Sequence, residues 1–144
     1  MTYVMLVGTD VALLEGLAQS LAGLGHRPSV ISTLSEAREL AAGHPPLVLV
    51  VDRMLAGSGG AELLGVAVAD GGTRLLYRTN AMPPTPLLPA LQRVVLADLT
   101  LPLERNRLMA LVRSVGERAK TTGRAPRITP PASAAIPDSA PRKR

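Results

Sequence analysis

The carboxylate best placed to do chemistry is that of Asp52, which follows an uninterrupted apolar run from Leu47 to Val51. Such a run is typical of a strand buried on both faces of a parallel sheet. Ligands of open α/β sheets collect at the carboxyl ends of the strands, so Asp52 is a candidate phosphoryl acceptor or metal ligand. The glycine-rich loop that follows, 57–60, lacks the Lys-Ser/Thr of a phosphate-binding P-loop and does not indicate a nucleotide site.

Strands and helices alternate along the chain on both sides of this carboxylate. Apolar runs predict strands at 3–7, 29–31, 47–51, 74–77 and 94–99, and helical periodicity predicts helices at 11–24, 35–42, 61–69 and 103–118. Asp10 and Gly25 are the expected caps of the first helix, and Ser35 is the expected N-cap of the second. The alternation predicts a doubly wound, flavodoxin-like α/β fold with a five-stranded parallel sheet of order 2-1-3-4-5.

The alternation of strands and helices is interrupted between the last two strands, where a fourth helix is expected. The segment from Met82 to Pro89 contains four prolines, and a proline inside a helix costs about 3 kcal/mol. We therefore expect this helix to be replaced by a proline-rich loop, or to be short and to start near Pro86 or Pro89.

The net charge of +5 is unevenly distributed. Residues 118–144 carry seven basic side chains against one acid, whereas residues 1–117 carry nine basic and ten acidic ones. After Lys120 the composition turns to Pro, Ala, Ser, Thr and Arg with little periodicity. This predicts a folded domain at 1–118 and a disordered basic tail at 119–144.

Composition argues against several classes of protein. Without cysteine there is no disulfide framework or thiolate metal site, and two tyrosines as the only aromatic residues make no stacking platform for single-stranded nucleic acid. His26 and His44 are too isolated from other candidate ligands in the sequence to suggest a metal site, which needs three or four converging ligands. No apolar run approaches 18 residues, so we expect no membrane span and a cytoplasmic protein.

Three spacings make the chain resemble the receiver domain of bacterial two-component response regulators, the chemotaxis-regulator type. Asp52 and Gly60 match the ends of the family's Asp-x-x-x-Pro-x-x-x-Gly loop, with Ala56 in place of the proline. Thr79 ends the fourth predicted strand at the position of the family's Thr/Ser. The run from Thr100 to Pro102 matches the family's Thr-Lys-Pro after the fifth strand, and the resemblance covers most of the predicted domain.

The resemblance implies a phosphorylation site that is incomplete here. In such receivers the strand-end Asp accepts a phosphoryl group, an acidic pair holds Mg²⁺, and the Thr/Ser and Lys bind the phosphoryl oxygens. Asp52 and Thr79 match the acceptor and the phosphate-binding position. The acidic pair falls on Gly8 and Thr9, and the Lys falls on Leu101. The chain is therefore predicted to be a degenerate, or pseudo-receiver, domain.

Other side chains near these positions have two possible roles. Asp10 could act with Asp52 as a weak replacement Mg²⁺ pair, although a helix N-cap fits its position better. Arg53 or Arg78 could supply the missing positive charge, although adjacent strand residues point to opposite faces and both fit a solvated surface. Asp98 occupies the family's aromatic switch position.

The sequence favours a signalling role in phosphorelay transduction over catalysis. A receiver-like domain would bind a protein partner, such as a kinase, a regulator or an output protein, with weak or no phosphorylation. The alternative is an adaptor for nucleic acid or an acidic partner, acting through the basic tail alone. No nucleophile–base pair or cofactor loop suggests an enzyme, and no cofactor is expected beyond weakly bound Mg²⁺.

Overall fold

The computed structural model describes residues 2–55, 63–79 and 89–124. Its elements in chain order are β1 (Tyr3–Val7), α1 (Val11–Gly23), β2 (Arg27–Ile31), α2 (Leu34–Gly43), β3 (Val48–Asp52), β4 (Thr73–Thr79), α3 (Pro89–Gln92), β5 (Val95–Leu101) and α4 (Arg105–Arg124). The five strands form one sheet in the order β2-β1-β3-β4-β5, with every neighbouring pair parallel. This confirms the predicted flavodoxin-like fold and strand order.

Alternate strand residues point to opposite sides of the sheet, which divides the core into two apolar layers. The first layer, here called the α1/α4 face, includes Val4, Leu6, Val48, Val50, Leu75, Tyr77, Leu99 and Leu101 with Leu14, Leu17, Leu108 and Val112 of the two helices. The second layer, the α2 face, includes Met5, Val7, Leu49, Val51 and Leu76 with Leu34, Ala37, Leu63 and Val66. Every residue of β3 is buried, as its unbroken apolar run predicts.

Both caps predicted for α1 are confirmed. The Asp10 carboxylate accepts a hydrogen bond from the Leu13 backbone N–H at 3.2 Å, which satisfies a donor of the first turn. At the other end Gly25 has a φ of +91°, and His26 N–H bonds back to the Leu21 carbonyl at 3.0 Å. These features define a Schellman motif that reverses the chain into β2.

The N-cap predicted for α2 is wrong by two residues. Thr33, and not Ser35, precedes the helix, and its hydroxyl accepts a hydrogen bond from the Glu36 backbone N–H at 3.1 Å. The same hydroxyl lies 3.4 Å from the Glu36 carboxylate. A threonine followed three residues later by glutamate is the pattern of a capping box, which outweighs the competing serine.

The third predicted helix, 61–69, does not form over the residues described from 63 onward. Leu63, Leu64 and Gly65 make a single 3₁₀ turn, closed by a 3.1 Å hydrogen bond from Val66 N–H to the Leu63 carbonyl, and irregular chain follows. Leu63 and Val66 are both fully buried. One tight turn therefore suffices to cover this part of the α2 face.

The last two helices differ from the regular pattern in length. α3 has four residues and begins at Pro89, as the proline-rich segment predicts; residues 82–88 lie outside the described part. α4 runs to Arg124, past the predicted domain end at 118. The predicted disorder of residues 125–144 stays a prediction, because they too lie outside the described chain.

Among the described residues, no helix is long and apolar enough to cross a membrane.

Candidate functional site

Asp52 is held at the carboxyl edge of the sheet by its own turn. It is the last residue of β3 and only 7% exposed. Its carboxylate accepts a hydrogen bond from the Met54 backbone N–H at 3.0 Å, and its carbonyl accepts one from Leu55 N–H at 2.9 Å. Its side chain lies on the α1/α4 face, because it stands two residues after Val50 of that layer.

A large side chain on this face, Tyr77, was not among the site residues that the sequence predicted. Tyr77 lies directly opposite Asp52 in the β3–β4 register and is fully buried. Its hydroxyl has no hydrogen-bond partner within the described residues. A polar group buried without a partner is unusual, so the hydroxyl is an informative feature of the site.

The end of the Tyr77 ring occupies the space above Gly8. A Cβ atom added at Gly8 would overlap the Tyr77 hydroxyl oxygen and would lie 3.3 Å from Cζ of the ring and 3.2 Å from Leu14 Cδ1. Gly8 is itself buried and directly follows β1. The space that an acidic side chain would occupy in the resembled family is therefore filled here by the phenol of Tyr77, which reaches it from β4.

The Tyr77 phenol is held in its neutral form. Burial raises its pKa well above the ordinary value, and the negative charges of Asp52 and Asp10 raise it further. The hydroxyl thus adds a dipole and bulk to the site but no charge.

Thr79 and Leu101 come together at the same edge, as their sequence spacing predicts. Thr79 ends β4, is partly buried, and pairs with Leu101 in the β4–β5 register. Leu101 is fully buried within the α1/α4 layer. At the family's Lys position this chain therefore has an apolar side chain in the core, which cannot donate to a phosphoryl group.

Thr9 and Asp10 begin the turn into α1. Thr9 is exposed, and its carbonyl accepts a hydrogen bond from Val11 N–H at 3.0 Å. The Asp10 carboxylate is used as the helix cap described above. This geometry favours the N-cap role of Asp10 that its sequence position indicated.

The residues at this edge do not fit the Mg²⁺ site of a receiver. Mg²⁺ needs hard oxygen ligands in octahedral geometry, but neither Gly8 nor Thr9 is a carboxylate, and the Tyr77 hydroxyl occupies the space that a side chain at position 8 would need. Across 2–55, 63–79 and 89–124 there is no group of three or more His, Cys, Asp or Glu side chains able to hold a metal ion.

The two arginines near the site belong to the other side of the sheet. Arg53 Nη1 donates to the Asp98 carboxylate at 2.7 Å, and the two side chains are 7% and 30% exposed. Asp98 alternates with Leu99 of the α1/α4 layer and therefore lies on the α2 face. Arg78 alternates with Tyr77 in the same way. Alternation therefore directs both side chains to the face opposite the Asp52 carboxylate, which does not favour either as a replacement for the family's Lys.

The loop after β5 is fixed by Glu104. Its carboxylate accepts a 2.8 Å hydrogen bond from Thr100 N–H and a 3.1 Å bond from Arg107. These two donors, in that order, lower the pKa of Glu104. The Leu101–Pro102 peptide bond in this loop is cis.

No protein-family model matches the chain, and no curated protein matches it. Solved structures do match. A CheY-like response regulator receiver domain protein from Methanospirillum hungatei JF-1 gives a TM-score of 0.66 at 18% identity, covering 84% of this chain and 98% of that one. The receiver domain of a sensor histidine kinase from Pseudomonas aeruginosa, solved with magnesium in its active-site cleft, gives 0.60 at 18%, covering 80% and 98%. NtrX from Brucella abortus gives 0.66 at 15%, covering 88% of this chain and 28% of NtrX.

These structures show that the chain has the fold of response-regulator receiver domains, as the three spacings predicted. Identities below a fifth carry the architecture alone. They do not carry the chemistry of the site, which has to be argued from the residues present.

Proposed function

We propose that this protein is a receiver-like signalling domain of two-component phosphorelay transduction. It acts through protein–protein interaction, with weak or no phosphorylation of Asp52, and performs no catalysis of its own. The partner is a protein of the same signalling class: a kinase, a regulator or an output protein.

One observation carries the proposal: the acceptor carboxylate is retained while the groups that would make it reactive are replaced by packing. Asp52 remains at the end of β3. The Tyr77 ring stands over Gly8, and Leu101 is buried in the core. Among the described residues of the α1/α4 face, a neutral phenol and a buried leucine thus stand where the resembled family has an acid and a Lys.

Electrostatics explains why this arrangement disfavours phosphorylation. Transfer of a phosphoryl group to a carboxylate brings two negative groups together, and their charge is normally neutralised by a metal ion and a fixed cation. On the face that carries Asp52, the described residues supply neither. The site therefore lacks most of the transition-state stabilisation that makes receiver phosphorylation fast.

Binding in place of phosphorylation is supported by apolar side chains at the rim of the site. Met54 follows Asp52 and is 73% exposed, and Leu103 follows β5 and is 77% exposed. Receivers are two-state domains whose equilibrium a bound partner can shift without a covalent signal.

The experiment is intact-mass measurement after incubation with a small acyl-phosphate donor and Mg²⁺, beside an Asp52→Ala control. We expect no gain of a phosphoryl group in either folded protein over a period that saturates an ordinary receiver. Stoichiometric phosphorylation of the unmodified protein that is absent in the control and abolished by chelation would overturn the proposal.

The charge of residues 118–144 favours a second candidate function, an adaptor for nucleic acid or an acidic partner. Seven basic side chains against one acid would give sequence-independent affinity that falls steeply with salt. Binding to duplex DNA of mixed sequence, compared at low and high salt with a protein ending at Arg124, tests it. Equal binding by both proteins would exclude this role for residues 125–144.

A further inference from the structure

The glycine at position 8 is explained by packing and not by backbone conformation. Among the described residues, only Gly25 and Gly71 adopt positive φ, so Gly8 has a backbone that other residues can adopt. The space its side chain would need is taken by the Tyr77 hydroxyl and Cζ. A residue without a Cβ is therefore required at position 8 as long as the tyrosine stays in this place.

We infer that Gly8 and Tyr77 form a matched pair in which the phenol acts as a plug, closing the cation pocket beside Asp52. The inference deepens the proposed function by naming what holds the site shut. The missing acids and the plug are separate obstacles, because the first removes ligands and the second removes space. Supplying an acid alone would leave the pocket closed.

The surroundings of the hydroxyl favour a permanent plug over a side chain that swings in and out. Tyr77 is fully buried, and its hydroxyl and Leu14 Cδ1 both lie on the side of Gly8 where a Cβ would stand. It belongs to the same apolar layer as Leu99, its neighbour in the β4–β5 register. Moving a ring out of such a layer would open a cavity and expose apolar surface, which is unfavourable.

The hydroxyl also explains why the plug excludes a cation instead of coordinating it. Its pKa is raised by burial and by the nearby carboxylates, so the oxygen keeps its proton. A neutral phenol is a far weaker ligand for a hard divalent ion than a carboxylate. Besides the Asp52 carboxylate and Asp10, which caps α1, the site therefore contains an oxygen that occupies volume without offering a charge.

The test introduces an acid at position 9, once with the Tyr77 ring present and once with it removed. Mn²⁺ is the probe, because its paramagnetism broadens the NMR lines of nearby residues when it binds. The variants are Thr9→Asp, which leaves Gly8 untouched and so avoids the overlap, and Thr9→Asp with Tyr77→Leu. The matched control is Thr9→Asp with Tyr3→Leu. Tyr3 is the only other tyrosine, and its hydroxyl lies 3.1 Å from Ser29 Oγ near the opposite end of the sheet.

We expect no Mn²⁺ binding by Thr9→Asp or by the Tyr3 control, and at least tenfold tighter binding by the Tyr77→Leu double variant. Adding Asp52→Asn to that double variant should abolish the gain. Thermal unfolding of each variant shows that the comparison is made between folded proteins.

Two results would overturn the inference: equal binding by Thr9→Asp and the Tyr77→Leu double variant, or binding by neither in folded samples. Both concern the plug alone. Failure of the proposed function has a different signature, which is phosphorylation of the unmodified protein by the acyl-phosphate donor.

Discussion

The two faces of the sheet differ in the charged groups that they carry at its carboxyl edge. On the α2 face, Arg53 and Asp98 are charged, close and paired at 2.7 Å. On the α1/α4 face, one acid, Asp52, stands beside a neutral phenol and a buried leucine. On the first side two ionic groups neutralise each other within the protein, whereas on the second the Asp52 carboxylate stands beside a neutral phenol.

The difference shows that an ion pair links strands on the α2 face, whereas packing alone links them on the α1/α4 face. An internal ion pair joins the turn after β3 to β5 across the neighbouring strand β4 and needs no external ligand. In a receiver that is phosphorylated, the acids on the Asp52 side would depend on a metal ion to neutralise their charge. Filling the pocket with Tyr77 removes that dependence.

The largest expected effect is on the paired side. Asp98→Ala should lower the free energy of unfolding by about 3 kcal/mol, because the nearly buried Arg53 guanidinium loses the carboxylate that compensates its charge. Urea unfolding monitored by circular dichroism measures it. Asp98→Asn keeps the shape and removes the charge, so it should cost less.

A loss below about 0.5 kcal/mol for Asp98→Ala would contradict this account of the paired side, since that is the range of ordinary surface substitutions. Asp70→Ala is a suitable reference, because Asp70 is an exposed acid in the loop before β4.

The next effect concerns the plug. Gly8→Ala should cost about 2 kcal/mol, because the new methyl group overlaps the Tyr77 hydroxyl and the surrounding layer must shift. In a Tyr77→Phe background the overlapping oxygen is gone, and most of the cost should disappear. A double-mutant cycle of urea unfolding measures the coupling. Additive losses would mean that the two residues are not a pair.

A smaller effect separates Asp10 from the site. Asp10→Ala should cost about 1 kcal/mol, because the Leu13 N–H loses its acceptor at the start of α1. Asp10→Ser retains a capping oxygen and should recover most of the loss. Equal losses for both variants would show that the charge of Asp10, and not its cap, stabilises the protein.

The fold could be predicted because its signals are local and repeated. Apolar runs predicted β1 and β3, apolar periodicity with its capping residues predicted α1, and the proline-rich segment predicted a short helix starting near Pro86 or Pro89, where α3 begins at Pro89. Errors arose where two local signals compete, as at Ser35 against Thr33. They also arose where one buried turn replaces a helix, as at Leu63.

The site was predicted in outline only, because its central contact depends on register. Asp52, Thr79 and Leu101 follow from spacing, and the structure brings them to one edge. The contact between Gly8 and Tyr77 joins residues from two strands that are not neighbours in the sheet, and only the three-dimensional alignment of β1, β3 and β4 reveals it. The available hint was a lone tyrosine two residues before Thr79 in an otherwise aliphatic core.

The smallest effect at neutral pH, and the most specific, is that of Tyr77→Phe. Removing a buried hydroxyl without a partner should leave stability unchanged or raise it by up to about 1 kcal/mol. Above pH 10 the two proteins should diverge. The pKa of Tyr77 is raised in the folded state, so the unfolded chain releases the proton first, and stability falls as the pH rises.

The free energy of unfolding should fall by about 1.4 kcal/mol for each pH unit above the pKa of tyrosine in the unfolded chain, which is about 10. Tyr77→Phe should abolish this loss. Urea unfolding at pH 7 and at pH 11 measures the difference, with Tyr3→Phe as the control that keeps Tyr77 in place. An identical pH dependence in the wild type and Tyr77→Phe would mean that the phenol ionises as freely in the folded protein as in the unfolded chain. The closed pocket on the α1/α4 face would then be open to solvent, and the contrast between the two sides of the sheet would fail.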